Sequence, residues 1–270
     1  MIREPVVIMN FSHVYEAENF YRDGRFRWVD CSDIPGTDCY CTPEAEAAIR
    51  ERIRDLSPGG IHFLDSGNYH YASKLWMEKI RKPFDLLVFD YHSDMQKPAL
   101  ADLMSCGCWI ERALDTNPRL RRVWIVGPDA DAFAHIDGRY RSRLVCVSLQ
   151  SIRRHEARRV LEKQEGGNFY LSVDKDVLSR HFSLTNWNQG ELSLETLERL
   201  ASLITERGRV IGTDICGEPD PETVLLGRDG IDLNDTANRE LLHFFLRLQG
   251  SGHSPRRRAS GADAGQTGAS

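Results

Sequence analysis

The chain has 270 residues, of which 41% are hydrophobic and 28% are charged, and its formal net charge at pH 7 is −5. This composition is typical of a globular protein with a substantial core, and it excludes a wholly disordered chain and a disulfide-stapled miniprotein. A mildly acidic chain lacks the basic surface by which proteins bind nucleic acid without sequence preference, so we expect no nucleic-acid partner.

The first apolar segment, residues 5–9, is too short for a signal peptide, and no apolar run reaches the roughly 20 residues that span a bilayer. Seven cysteines are scattered along the chain, and this odd number indicates reduced thiols. We therefore expect a cytoplasmic protein with no membrane partner. Two Cys-x-Cys pairs lack the spacing of structural zinc sites, so they do not predict a zinc framework.

Short apolar runs without alternation predict strands that are covered on both faces, as in a parallel sheet. The predicted strands are residues 6–9, 61–64, 86–89, 123–126, 144–147, 169–173 and 210–212.

Segments with apolar residues at helical spacing lie between these strands and after the last one. Thr42 and Pro43 are typical of a helix start, as N-cap and first-turn residue of a helix that extends to about residue 56. The other predicted helices are near residues 72–80, 106–114, 152–163, 194–205 and 237–248. This alternation predicts an α/β fold, a doubly wound three-layer α-β-α domain with a mostly parallel sheet.

Residues 1–250 are predicted to form one domain. Residues 251–270 contain no aromatic residue and no Leu, Ile or Val, so they cannot bury enough surface to fold and are predicted to be a disordered tail.

Potential metal ligands follow three of the predicted strands. Because residues two apart on an extended chain share a face, and because parallel strands end at one edge of a sheet, these side chains are expected to converge. Carboxylates with a minority of imidazoles suit cations such as Mn²⁺, and converging acidic groups repel one another without a cation. The sequence therefore predicts a site for two divalent ions. The six candidate ligands are His70, Asp90, His92, Asp94, Asp174 and Asp176.

These motifs resemble those of the arginase and agmatinase family, the manganese ureohydrolases. Residues 90–94 resemble the family's Asp-Ala-His-x-Asp motif, and residues 172–179 resemble Ser-x-Asp-x-Asp-x-x-Asp, with Ser179 in place of the last Asp. Residues 66–71 are similar to Gly-Gly-Asp-His-Ser and keep the histidine. Residues 212–219 are similar to the strand whose glutamate meets the guanidinium, with an offset of one residue. The resemblance covers residues 61–221 and implies the fold that arginases share with deacetylases.

The resemblance implies two Mn²⁺ per chain, with Asp90 and Asp174 bridging them. It also implies hydrolysis of a guanidino C–N bond to urea and an amine, by a hydroxide held between the two ions. Asp94, Glu218 and Asp214 are the implied catalytic residues. Of these, Glu218, or Asp214 if the offset is misjudged, would pair with the cationic group of the substrate.

The sequence departs from the family in two respects. No histidine follows the Asp90–Asp94 motif to help the proton step, which leaves Cys106, His13 and His181 as candidates. The residues that hold the α-amino and α-carboxyl groups of free arginine are not recognisable, so an arginine within a peptide, converted to ornithine, becomes an expected substrate. Side chains of the loop that follows residues 174–176 would then contact the peptide, and these are Asn186, Trp187 and Gln189.

Two other functions stay open at this point. A deacetylase-like amide hydrolase holds one metal and needs neither His70, Asp94 nor Asp176, so retention of all three favours two metals. A non-catalytic binding protein of the same fold would explain the missing histidine, but an unused acidic cluster would cost stability. The sequence leaves the number of subunits open, a homo-oligomer included.

Overall fold

The computed structural model describes residues 5–98, 100, 103–157, 160, 166–221 and 226–250. The predicted tail, residues 251–270, and the end of the helix predicted over 152–163 lie outside these residues. Ten strands are described, and their bounds are β1 (Val6–Asn10), β2 (Phe26–Asp30), β3 (Tyr40–Cys41), β4 (Ile61–Phe63), β5 (Phe84–Phe89), β6 (Met104–Ser105), β7 (Leu120–Val126), β8 (Leu144–Val147), β9 (Gly167–Asp174) and β10 (Gly208–Cys216).

Eight of the strands form one sheet in the order β2-β1-β4-β10-β9-β5-β7-β8, and every neighbouring pair is parallel. The predicted parallel sheet is therefore confirmed. Strands β3 and β6 form a separate antiparallel ladder of two residues each.

Helices follow most of the strands, as the alternating pattern predicts. Thr42 caps the first helix, because its hydroxyl oxygen accepts a hydrogen bond from the Ala45 amide at 3.2 Å, and Pro43 occupies the first turn. The helices are α1 (Pro43–Arg52), α2 (Ala72–Met77), α3 (Trp109–Thr116), α4 (Leu149–Arg153), α5 (Leu194–Thr205) and α6 (Arg228–Gly250).

Successive residues of the central strands belong to two different hydrophobic clusters, one on each face of the sheet. Leu86 and Val88 of β5 pack with α1, α2 and α3, whereas Leu87 and Phe89 pack with α4, α5 and α6. Side chains alternate between the faces of a strand, so the sheet is buried on both sides. The three-layer α-β-α architecture is thus confirmed.

Some elements differ from the predictions. Strand β2 was not predicted because it lies at the sheet edge with Arg27 and Trp28 exposed, and it therefore has no continuous apolar run. Helix α6 begins nine residues before the predicted start. The apolar pattern did not indicate its first half, because that half buries Asn234 rather than apolar side chains alone. Strand β10 extends to Cys216 instead of ending at Gly212.

Strands β4, β10, β9 and β5 are adjacent and parallel, so their carboxyl ends lie at the same edge of the sheet. This edge is where open α/β sheets carry their sites. Among the described helices, none combines the length and the apolar character needed to cross a bilayer.

Candidate metal centre

Three strand ends deliver the candidate ligands. Asp90 directly follows β5, and Asp174 ends β9; since Phe89 of β5 is in register with Val173 of β9, the two carboxylates lie at the same level. His70 follows β4 after a tight 3₁₀ turn, which Ser66 caps by accepting a hydrogen bond from the Asn68 amide at 3.2 Å.

His70 faces three of the carboxylates through its Nδ1 atom. This nitrogen lies 2.9 Å from Asp94 Oδ2, 3.2 Å from Asp90 Oδ2 and 3.7 Å from Asp174 Oδ2. All four side chains are buried. One nitrogen and three carboxylate oxygens thus converge on one point.

A second set of ligand atoms lies beside the first and shares Asp90 with it. His92 Nδ1 is 2.8 Å from Asp176 Oδ2 and 3.5 Å from Asp90 Oδ1. Because Asp90 directs one oxygen to each histidine, it lies between the two sets. The structure therefore brings all six predicted ligands together. Two groups that could hold a cation share Asp90, namely His70–Asp90–Asp94 and Asp90–His92–Asp176, and a third group joins His70 and Asp174 with Cys216.

Two of these carboxylate oxygens have unmet bonding capacity. Apart from the nitrogens of His70 and His92, Asp90 Oδ2 and Asp176 Oδ2 are buried without a hydrogen-bond partner. A buried charged oxygen without a partner is costly, and a cation relieves that cost. A donor set of carboxylates with two imidazoles fits divalent ions such as Mn²⁺, although it does not by itself identify the metal.

Burial and mutual repulsion disfavour charge on Asp94, Asp174 and Asp176 when no cation is bound, whereas His70 and His92 outweigh the burial of Asp90 and lower its pKa. Burial and the charge of Asp90 raise the pKa of Asp94 to about 7, and they raise the pKa of Asp174 as well. The pKa of Asp176 is raised by burial, then by Asp174 and Asp90. Burial opposes charge on His92, but the neighbouring carboxylates of Asp176 and Asp90 outweigh it and raise the His92 pKa to about 12.

We expect the stability of the protein to change with pH in opposite directions with and without metal. The pKa values of Asp94 and His92 lie above their unfolded values, so the metal-free native state binds more protons and loses stability as pH rises from about 6 to about 8. Cations require deprotonated ligands, so the loaded protein should gain stability over the same range. The melting temperature measured as a function of pH, once in chelator and once in Mn²⁺, tests this. Slopes of the same sign in the two conditions would contradict it.

Ser172 and Asp214 hold His70 in the tautomer that suits a metal ligand. His70 Nε2 lies 2.9 Å from Ser172 Oγ, which donates its proton to Asp214 Oδ1 at 2.5 Å. Since the Ser172 proton is used in this way, His70 Nε2 carries the hydrogen and donates it, leaving the Nδ1 lone pair facing the carboxylates. Asp214 therefore lies behind His70 and not among the residues that line the cavity.

Glu218 also lies away from the cavity. Its carboxylate is fully buried and accepts hydrogen bonds from Lys175, Asn234 and Asn238. The expectation that Glu218 or Asp214 faces a substrate cation therefore finds no support in the geometry, because the first is saturated by internal partners and the second is screened by His70.

Of the three loop residues expected to contact substrate, one lines the cavity and two do not. Trp187 lines the cavity, and its Nε1 donates to Asn68 Oδ1 at 2.9 Å. Asn186 donates to the same oxygen at 3.1 Å, and Gln189 bonds backbone atoms of its own loop, among them the Ser183 carbonyl oxygen. Asn186 and Gln189 thus shape the loop, and only Trp187 reaches the cavity.

Of the three candidates to replace the missing proton-relay histidine, one lines the cavity and two do not. Cys106 lines the cavity, whereas His181 is exposed and not among the lining residues. His13 lies elsewhere and bonds Glu16 at 2.6 Å.

The cavity above the ligands has a volume of about 340 Å³ and includes residues that the sequence motifs did not indicate. Most of them come from β3, β6 and the residues beside these strands and from the segment after Asp94, which have no motif and no periodic pattern; Gly67 lies within residues 66–71. The additional lining residues are Cys39, Tyr40, Gly67, Gln96, Lys97, Ser105 and Gly107.

Two glycines allow the chain to approach the ligands closely. A Cβ at Gly67 would lie 2.9 Å from Asp174 Oδ2 and 3.0 Å from Trp187 Cδ1. Gly217 has φ +96°, and a Cβ there would collide with Asp174 and Lys175. Because larger residues would be strained or would displace Asp174, both positions require glycine.

The geometry can be set beside known proteins. The family model described as Arginase family matches residues 2–222. An uncharacterized protein of Thermotoga maritima is 30% identical over 223 residues, which cover 82% of each chain.

Two solved structures share the fold at low sequence identity. A T. brucei arginase-like protein, a triple mutant bound with Mn²⁺, has a TM-score of 0.63 at 15% identity and 92% coverage of each chain. Proclavaminate amidino hydrolase from Streptomyces clavuligerus has a TM-score of 0.64 at 16% identity, covering 91% of this chain and 92% of its own.

Proposed function

Because the chain belongs to the arginase family, we propose that it is a hydrolase that uses two Mn²⁺ ions to cleave a guanidino C–N bond and release urea. One observation carries this proposal. Two overlapping sets of ligand atoms share Asp90 in one cavity, and two of the buried carboxylate oxygens lack any hydrogen-bond partner apart from the ligand histidines.

The chain offers ligands for both ions. His70, Asp90, Asp94 and Asp174 would hold one ion, and Asp90, His92, Asp174 and Asp176 would hold the other. Divalent cations at such a site make a nucleophile available from water at neutral pH and polarise the bond under attack.

The chain's own residues fix the ligands and shape the cavity. Trp109 Nε1 donates to Asp94 Oδ2 at 2.6 Å, and the Tyr91 amide donates to Asp176 Oδ1 at 2.9 Å, so each carboxylate has a set orientation. Trp187 lies edge-on to His92 at 5.9 Å and offers an aromatic wall. An indole ring attracts a guanidinium group, so we propose Trp187 as the residue that receives the substrate's cationic group.

The substrate we propose carries its guanidino group on a peptide. Among the residues that the structure describes, the acidic ones that line the cavity are Asp90, Asp94, Asp174 and Asp176, all of which belong to the metal ligand sets. Free arginine and agmatine each bring an additional ammonium group, and none of the described lining carboxylates is left to pair with it. An unpaired buried charge is costly, whereas the neutral amides of a peptide avoid that cost.

We expect urea release from peptides with an internal arginine to exceed that from free L-arginine and agmatine at equal concentration. A colorimetric urea assay of Mn²⁺-loaded protein measures the difference, and the same peptides with citrulline in place of arginine are the matched control. Efficient turnover of free arginine without turnover of peptides would overturn the substrate proposal. Deacetylation of acetyl-lysine peptides without urea release would support an amide hydrolase instead.

A further inference from the structure

Two cysteines face each other across the small antiparallel ladder at the cavity. Tyr40 pairs with Ser105 and Cys41 with Met104, and Cys39 and Cys106 directly adjoin this ladder at the Tyr40–Ser105 end. The Cys106 amide donates to the Cys39 carbonyl oxygen at 2.9 Å. Because this backbone hydrogen bond joins the two residues directly, their Cα atoms lie close enough for a disulfide, whose Cα atoms are usually about 4.4–6.8 Å apart.

The side chains of these two cysteines are also in contact. The Cys106 thiol donates a hydrogen bond to the Cys39 sulfur, and this bond lowers the pKa of Cys39. Both residues are partly exposed. A partly exposed thiol with a lowered pKa is the kind that enters thiol–disulfide exchange.

The other five cysteines lack this combination. Cys31, Cys41, Cys108 and Cys216 are buried, and burial raises the pKa of Cys31 and Cys41 to about 12. Cys146 is exposed, but it lies on the edge strand β8 and is not among the residues that line the cavity.

The pair lies where a crosslink would affect the metal cavity. Both sulfur-bearing residues line the cavity together with His70 and Asp94. The segment after Cys106 is tied to the Asp94 region, because the Gln96 amide donates to the Gly107 carbonyl oxygen at 2.8 Å. A bond between Cys39 and Cys106 would prevent β3 and β6 from separating and would fix this wall of the cavity.

We propose that Cys39 and Cys106 form a reversible intramolecular disulfide that restricts the passage of divalent cations into and out of the cavity. The oxidant is a small-molecule disulfide such as glutathione disulfide. The Cys39 thiolate attacks one sulfur of the oxidant, breaks its S–S bond and releases one glutathione thiolate. Cys106 then loses its proton and attacks the Cys39 sulfur, which releases the second thiolate. The two cysteines lose two electrons and the oxidant gains them, and two protons pass to glutathione.

The full-length protein treated with glutathione disulfide tests the proposal. After free thiols are alkylated, peptide mapping by mass spectrometry should find the Cys39–Cys106 crosslink, and dithiothreitol should remove it. Release of Mn²⁺ into excess chelator should be several-fold slower from the oxidised protein than from the reduced protein. Cys39→Ser and Cys106→Ser should abolish the difference, whereas the exposed control Cys146→Ser should retain it.

Two results would overturn the proposal. The first is oxidation that leaves separate glutathione adducts on Cys39 and Cys106, or links either to another cysteine. The second is a Cys39–Cys106 crosslink that leaves the rate of Mn²⁺ release unchanged.

Discussion

Replacing Lys175 with methionine should lower the free energy of unfolding by about 3–5 kcal/mol, because it leaves a buried carboxylate without its counter-ion. Lys175 lies between Asp174 and Asp176 with 0% of its surface exposed. Its Nζ pairs with Glu218 and donates to Asn238 Oδ1 at 3.0 Å. Urea denaturation in the presence of chelator measures the loss separately from any effect of metal binding.

The double variant Lys175→Met/Glu218→Gln is the matched control. It removes both charges, and it also relieves Glu18, whose pKa is raised by burial and by the charge of Glu218. We expect it to recover part of the stability that the single variant loses, and a double-mutant cycle isolates the coupling. A single-variant loss below about 1 kcal/mol, within the ordinary range for point mutations, would show that the ion pair does not stabilise the native state.

Replacing Asp90 with alanine should remove two-ion binding, because Asp90 belongs to both sets of ligand atoms. We expect metal content to fall from two Mn²⁺ to at most one per chain. Loss of residues that merely orient ligands costs about 10–100-fold in affinity or activity, so urea release should fall by at least that factor. Metal analysis after gel filtration and the urea assay measure the two effects.

Asp129→Ala is the matched control for this experiment. Asp129 also follows a strand at the carboxyl edge of the sheet, but it accepts a hydrogen bond from the Tyr91 hydroxyl at 3.0 Å and does not line the cavity. It should bind as many ions as the parent protein. One ion or none in the parent, or two ions in Asp90→Ala, would contradict a binuclear centre.

The sequence predicts the buried part of the fold well, because parallel strands covered on both faces are apolar throughout. All seven predicted strands are present in the structure, in the sheet that the strand–helix alternation implies. Strands β3 and β6 could not be predicted, since two-residue strands produce no pattern. The first half of α6 has no clear apolar pattern, because it buries polar residues that form hydrogen bonds inside the protein, such as Asn234 and Asn238.

The six ligands could be predicted because each follows a strand at fixed spacing and parallel strands end at one edge. The position of Glu218 could not, because the left-handed conformation of Gly217 alters the direction of the chain after β10. The partner that saturates Glu218 is a lysine 43 positions away in the sequence. The motif places Glu218 one residue from the expected position. It therefore could not predict which side chains Glu218 contacts.

The strand order has a consequence for how the protein reaches its native state. Strand β10 is the last in the sequence but lies between β4 and β9 in the sheet. The sub-sheets β2-β1-β4 and β9-β5-β7-β8 meet only through it, so a chain emerging from the ribosome cannot join them until residues 208–216 are available. His70 belongs to the first sub-sheet, and the other five ligands belong to the second. The ligand set that contains His70 is therefore completed only once β10 has joined the two sub-sheets, whereas the set of Asp90, His92 and Asp176 lies within one sub-sheet and is available earlier.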